Sequence, residues 1–526
     1  MCRIVDIIRV AMFLSIDKSA PTPVYQQIRE GVVALVRSGT LRPGDKLPGT
    51  RELATELGVS RKTVLTAYLE LAADGWVETR PGSCTYVLDR AGLTGTLSRR
   101  DGVPVAAEPS PDGQALDMEW DNYQLEGRFF GMPRYRDHWQ GEEEWISFSR
   151  AIPDVRLFPF ERIKKVSSQM LWDPQAYFFD YGHPQGYRPL IDYLELRLAK
   201  DGLAMVEGRN DVVICSGFQV ALNLLLHLLV KPGESVVVED PTFNSILNLL
   251  VARKIPYRGV PMEHDGMDVD YLDRLLKREK PALIITIPTL HNPTGVNMSR
   301  AKRERLIELA QRYNVPVIED HWAMLLGPEG KREPSLKNLD SGGHVIQIGS
   351  FSKVFLPGTR VAWTLLPGPI GVSFIKLKRA LDRSDSYFLQ TLVYEFIKKG
   401  YMDLHSRKVE RIYRARRELM DEVMRLHFPH EVTWKMPPGG FSFWVSLPEL
   451  SRGGLSSNEL LERAIKQGLE FAPGSYFYTD RRESVNLRLA FSTLTQPQIR
   501  QGIRRLGGVM QQALKETGRR PTAVKG

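Results

Sequence analysis

SFSKVFLPGTR, residues 350–360, boxes Lys353 between Ser350 and Ser352 and follows it with a Pro357-Gly358 turn and Arg360. Taken singly these are common loop residues, and a lysine is usually a solvated charge. Position in the pattern changes that reading. The box closes the apolar run HVIQIG, and similar runs precede it: DVVIC (211–215), SVVVED (235–240), ALIITIP (282–288) and VPVIED (315–320). They alternate with helical stretches such as VALNLLLHLLV and AKRERLIELAQRY. This is the βαβ rhythm of a mostly parallel sheet, in which ligands bind beyond the carboxyl ends of the strands.

Those ends carry chemistry. VICSGFQVAL sets Ser216, Gly217, Phe218 and Gln219 between a strand and a helix, where free backbone N–H groups can hold a phosphate. VVVEDPTF ends in Phe243, IPTLHNPTG presents Asn292, and VPVIED ends in Asp320. Alone, Phe243 reads as core, Asp320 as a helix cap and HNPTG as a turn. Together they answer the needs of an aldehyde cofactor: a lysine for an imine, an acid for a pyridine nitrogen, donors for a phenolic oxygen and a phosphate, and a flat ring face.

In this order the motifs resemble fold-type I pyridoxal-phosphate aminotransferases of class I/II, over residues 146–510. The resemblance implies an α/β fold, with a mostly parallel large domain and a smaller α+β C-terminal domain, and pyridoxal 5'-phosphate as cofactor. It makes Lys353 the catalytic, imine-forming lysine and Asp320 the partner of the pyridine nitrogen. Asn292 faces the phenolic oxygen and Phe243 stacks on the ring. Ser350, Ser352, Arg360 and the backbone at Phe218 and Gln219 take the phosphate. Arg488, in NLRLAFS, takes an α-carboxylate, a bidentate task suited to a guanidinium. Three positions depart from the family pattern. Trp322, in EDHWA, stands near the place of a tyrosine, and indole N–H can donate but does not ionise in the working range. His183 replaces a common aspartate, and Ala362 a glycine.

The N-terminal part reads differently. PVYQQIREGVVALVRSG has Val24, Ile28, Val32, Leu35 and Val36 at helical spacing, with Gly39 past the end. RELATELGVSRKTVLTAYLELAADGW gives two more helices with Leu53, Leu57, Val64, Tyr68 and Leu71 inward, joined by a turn at Gly58. Ser60 is placed to cap the second, which puts Arg61, Lys62 and Thr63 in the first turn of a recognition helix. WVETRPGSCTYV reads as a two-stranded wing carrying Arg80 and Gly82. These motifs, with GTLRPGDKLPGTREL, resemble the GntR-type winged helix over residues 20–88. By that resemblance Arg51, Arg61, Lys62, Thr63, Arg80 and Gly82 contact DNA. Family members carry serine where Gly49 stands, so a cap or phosphate contact from that side chain is lost.

Between the two parts, residues 101–145 hold eleven acidic residues against three arginines, with Pro104, Pro109 and Pro111. An acidic flexible linker is expected over 89–145, and a basic tail over 511–526. The 526 residues carry a formal charge of +9, compatible with a polyanionic partner. No apolar run approaches the roughly 20 residues of a membrane span. The interrupted start lacks a secretory pattern, and Cys2, Cys84 and Cys215 show neither disulfide nor metal spacing. A cytoplasmic protein without membrane or metal partners is expected.

A GntR-type winged helix joined to an aminotransferase-like domain resembles the MocR-type regulators, the group that includes GabR. That implies a homodimeric transcription factor that binds double-stranded operator DNA and senses an amino acid or other amine through imine chemistry at Lys353. A working aminotransferase with a DNA-binding appendage is the alternative.

Overall fold

The computed structural model describes residues 14, 16–18, 22–79, 84–88, 144–172, 179–203, 210–323, 333–448, 455–480 and 486–517. The chain divides into two compact units, residues 1–123 and 124–526. The expected linker lies outside the described residues except for Glu144 and Trp145, and so do Arg80 and Gly82 of the wing.

In the first unit, helices α1 (Val24–Arg37), α2 (Thr50–Glu56) and α3 (Arg61–Ala73) precede the antiparallel pair β1 (Val77–Thr79) and β2 (Thr85–Val87). The apolar periodicity becomes one core: Ile28, Val32, Leu53, Val64, Tyr68 and Leu71 are all buried. Leu57 and the flanking Val24 and Val36 are only half-buried at its edge. Ser60 caps α3, accepting from Thr63 N at 3.1 Å, and Gly58 turns the chain at φ +60°. At Gly49 the cap is half made: its N–H donates to Glu52 Oε2 at 2.9 Å, with no side chain to answer it. Tyr68 OH donates to Pro48 O at 2.9 Å and fixes the chain entering α2.

The second unit is entered at β3 (Ile146–Ser147). Its large sheet contains β4 (Asn210–Cys215), β5 (Val236–Asp240), β6 (Tyr257–Glu263), β7 (Gly266–Met267), β8 (Leu283–Thr286), β9 (Val317–His321), β10 (Val345–Ser350) and β11 (Ala362–Pro367). Their order is β4-β11-β10-β9-β8-β5-β6-β7. The five neighbours from β10 to β6 run parallel, and β11 and β7 are antiparallel to the strands beside them. Strands β5 and β8 are buried throughout, which is why they read as unbroken apolar runs. Helix α4 (Phe218–Leu229) follows β4 through Gly217, whose φ of +94° suits glycine.

A smaller antiparallel sheet, β12 (Thr433–Trp434), β13 (Ser442–Ser446), β16 (Asn486–Ala490) and β15 (Ala472–Pro473), packs with the long helices α5 (Tyr401–His427) and α6 (Gln496–Thr517). This is the expected α+β part. Strand β14 (Leu469–Glu470) pairs in parallel with β3 and holds the entering chain to it. Helix α6 continues into the stretch read as a tail, because Leu506, Met510 and Ala513 extend one buried stripe. Among the described residues no helix is long and apolar enough to cross a membrane.

Candidate functional site

Strands β9 and β10, with Asp320 and Ser350, and the segments that follow β4, β5 and β8 meet at one cavity of about 290 Å³. Phe218, Gln219, Phe243, Asn292, Asp320, Trp322, Ser350, Ser352, Lys353 and Arg360 all line it. The structure therefore gathers in one place the whole cofactor set singled out in the sequence. Arg488 stands beside it on β16, behind Asn292: its Nη1 donates to Asn292 Oδ1 at 3.0 Å and its Nη2 to Ser149 O at 2.7 Å. Its Nε is buried without a partner among the described residues.

Arg360 lies in the left-handed region, φ +51°, and its guanidinium packs on the backbone of Gly217. A Cβ at Gly217 would sit 2.1 Å from Arg360 Nη2. The glycine thus lets a cation reach the amino end of α4, where backbone N–H groups are unpaired and the helix dipole favours an anion. Ser350 Oγ accepts from Ser352 N at 3.1 Å, and Ser352 Oγ has no partner among the described residues.

Lys353 Nζ donates to Ala151 O at 3.2 Å and stands 5.9 Å from the centroid of the Phe441 ring. Burial lowers its pKa to about 8; Arg488 and Arg360 push the same way, and Asp320 opposes them. Burial raises Asp320 to about 8, with Glu239 and Glu319 adding to it against Lys353 and the Trp322 backbone N–H. Glu239 is itself buried and accepts from Thr286 Oγ1 (2.6 Å) and Ile287 N (2.9 Å), with His291 Nε2 at 3.1 Å. Asp320 Oδ1 and Trp322 Nε1 are buried without partners among the described residues.

Nothing local in the sequence marks the strap over this site, residues 149–154. Its carbonyls meet Arg488 at Ser149 and Lys353 at Ala151, and Ser492 Oγ donates to Ile152 O at 2.6 Å. Asp154, buried, closes the strap: Arg416 Nη2 on α5 reaches its Oδ2 at 2.8 Å, and Asp154 N donates to Tyr413 OH at 3.0 Å. Phe441, Gly439 and Gly440 also escape a reading of the sequence, although PPGGF carries a turn signal.

In the first unit Arg51, Arg61 and Lys62 are exposed, as a DNA-facing role requires. Arg61 Nε donates to Thr50 Oγ1 at 3.3 Å, tying the start of α3 to that of α2. Thr63 is half-buried and its hydroxyl is engaged with Ser60 Oγ at 2.7 Å, so part of its hydrogen-bonding capacity serves the cap.

Residues 156–506 match the family "Aminotransferase class I and II", and residues 24–87 match "Bacterial regulatory proteins, gntR family". The chain belongs to the class I and II aminotransferase family and joins that fold-type I domain to a GntR winged helix. It is a GntR-type, DNA-binding regulator of MocR type. It is 27% identical to the probable rhizopine catabolism regulatory protein MocR of Rhizobium meliloti, covering 97% of this chain and 98% of that protein. To the HTH-type transcriptional regulator TauR of Rhodobacter capsulatus it is 29% identical, over 91% of this chain and 94% of TauR. Among solved structures it resembles LysN, the α-aminoadipate aminotransferase of Thermus thermophilus, complexed with N-(5'-phosphopyridoxyl)-L-leucine. That likeness has 29% identity and a TM-score of 0.66, covering 71% of this chain and 93% of LysN.

The domain and these neighbours indicate pyridoxal phosphate as the cofactor, and the residues fit it. The unpartnered Asp320 Oδ1 suits a pyridinium, the unpartnered Trp322 N–H and Ser352 hydroxyl suit its oxygens, and the Gly217–Arg360 cradle suits a phosphate. The Lys353 shift has a direct consequence. Below pH about 8 the ammonium form is not nucleophilic, and above it the neutral amine is. The rate at which cofactor-free protein captures pyridoxal phosphate is expected to rise with an inflection near pH 8, and stopped-flow absorbance checks it. An inflection above pH 10 would show an unperturbed lysine.

Proposed function

We propose that this chain is a transcription regulator whose C-terminal unit holds pyridoxal phosphate at Lys353 and senses an amino acid or related amine there. The convergence of every predicted cofactor residue on one cavity, in a chain that also carries a GntR winged helix, supports this reading.

In it, Asp320 keeps the pyridine nitrogen protonated, Asn292 and Trp322 donate to the phenolic oxygen, and Phe243 covers the ring. Arg360, Ser350, Ser352 and the amides of Phe218 and Gln219 hold the phosphate. When bound, pyridoxal phosphate supplies an aldehyde carbon that condenses with a primary amine. Lys353 would hold that group through its Nζ, and an incoming primary amine would compete for the same chemistry. Arg488 orients the incoming carboxylate.

Both events act on the strap. Lys353 Nζ and Arg488 Nη2 are the donors to Ala151 O and Ser149 O, and an effector draws on the same two groups. The strap begins just after β3, where the chain from the N-terminal unit enters. Site occupancy thus bears on the anchor of the tether, and the DNA affinity of the winged helix responds. The DNA-facing residues are Arg51, Arg61, Lys62 and Thr63, with Arg80 and Gly82 in the wing. Within this reading the protein is a homodimer, and Leu171 and Trp172, 56% and 86% exposed, offer apolar surface to a second copy.

The presence together of Asn292, Asp320, Lys353 and Arg488 favours a second reading, a working aminotransferase with a DNA-binding appendage. One experiment separates them: adding a panel of amines to the holo-protein while recording its absorbance, its affinity for operator DNA and keto acid release. A regulator shows a persistent spectral change with altered DNA affinity. Many turnovers of keto acid with unaltered DNA affinity would establish the enzyme instead.

A further inference from the structure

We infer that the compound sensed is an α-amino acid with an uncharged, largely apolar side chain. The inference rests on the sensing role proposed above and follows from how charge is distributed around the cavity. Among the described lining residues, the carboxylate and the fixed cations are Asp320, Lys353 and Arg360. The cofactor engages Asp320 at its ring nitrogen and Arg360 at its phosphate; Lys353 stands at its aldehyde, and burial disfavours the ammonium there when an amine competes for that carbon. Arg488, with a buried unpaired Nε, remains for one carboxylate.

Among the described residues the wall left for the rest of the molecule carries no fixed charge, His291 being its one imidazole. Ile152 and Pro153 of the strap, Leu290 and Phe441 contribute apolar surface. Gly440, at φ +80°, presents no side chain, and even a Cβ there would stand 3.8 Å from the Trp322 ring. The Trp322 and Phe441 rings adjoin, with centroids 5.8 Å apart, and make an aromatic wall. A second carboxylate or ammonium on the ligand would be buried against these groups without a counter-charge, which costs roughly ten-fold or more in affinity. An apolar side chain has no such penalty and gains from leaving water. An amine without a carboxylate would leave Arg488 unanswered.

The test uses the full-length holo-protein titrated with L-leucine, L-phenylalanine, L-glutamate, L-lysine and 2-phenylethylamine, read by cofactor absorbance. Leucine or phenylalanine is expected to bind at least about ten-fold more tightly than glutamate, lysine or the carboxylate-free amine. Glutamate or lysine binding equally tightly would overturn the inference and leave the sensing role standing, whichever group supplied the counter-charge. No spectral change with any amine would remove the sensing role and the inference together. A second measurement uses Ile152→Arg, which places a cation in the neutral wall. The ratio of glutamate to leucine affinity should rise by about ten-fold, and a folded variant with an unchanged ratio would count against the position assigned to the side chain.

Discussion

Lys353→Ala protein is expected to lose the absorbance of covalently held pyridoxal phosphate completely and, with it, any change in DNA affinity on adding an amine. No other lysine lines the cavity among the described residues, so nothing replaces the missing amine. Folding should survive. The ammonium of Lys353 is disfavoured by burial and by two arginines, so below about pH 8 its removal relieves a desolvated charge. Against that gain stands one hydrogen bond, from Lys353 Nζ to Ala151 O. The melting temperature of the cofactor-free variant should therefore equal or exceed that of the parent at neutral pH. Binding to operator DNA without amine should persist, because the winged helix has its own core. A variant that still altered its DNA affinity on adding amines would sink the proposed sensing chemistry.

The second large effect belongs to the other unit. Arg61→Ala should weaken operator binding by about 1–3 kcal/mol, roughly five- to over a hundred-fold, if the guanidinium reads a base edge. If it meets phosphate instead, the loss should be uniform across sequences and the salt dependence of binding should fall by about one ion. Arg61 is exposed at the start of α3, and the side-chain hydrogen bond it makes there is the long one to Thr50 Oγ1. Little stability is therefore at stake, and cofactor absorbance should be unchanged. Fluorescence anisotropy at two salt concentrations distinguishes the two modes, and an unaltered affinity would remove Arg61 from the interface.

Legibility in the sequence followed the range of the interactions. The winged helix was readable because its determinants are local: the spacing of Leu53, Val64, Tyr68 and Leu71, the Ser60 cap and the Gly58 turn each act within a few residues. The strand ends were readable for a related reason, since buried parallel strands must be apolar and polar residues at their ends stand out. The pairing of Asn292 with Arg488 spans 196 residues, and the hydrogen bond of Lys353 to Ala151 spans 202. Neither has a local signature. Ala151, Ile152 and Pro153 look like any loop until α5 and β16 close on them. The extension of α6 to Thr517 was hidden for another reason: a basic C-terminal composition outweighed the weak stripe of Met510 and Ala513.

The strap carries an implication for the order of events. Free energies of coupled binding are reciprocal: whatever factor an amine applies to the grip on operator, operator must apply to the grip on the amine. In the proposed reading Ser149 and Ala151 bond the groups that would meet the ligand, so the strap and a ligand in the cavity would draw on the same donors. The regulator free in solution and the regulator on its operator would then respond to different amine concentrations, and the threshold at a promoter would be set in part by the DNA itself.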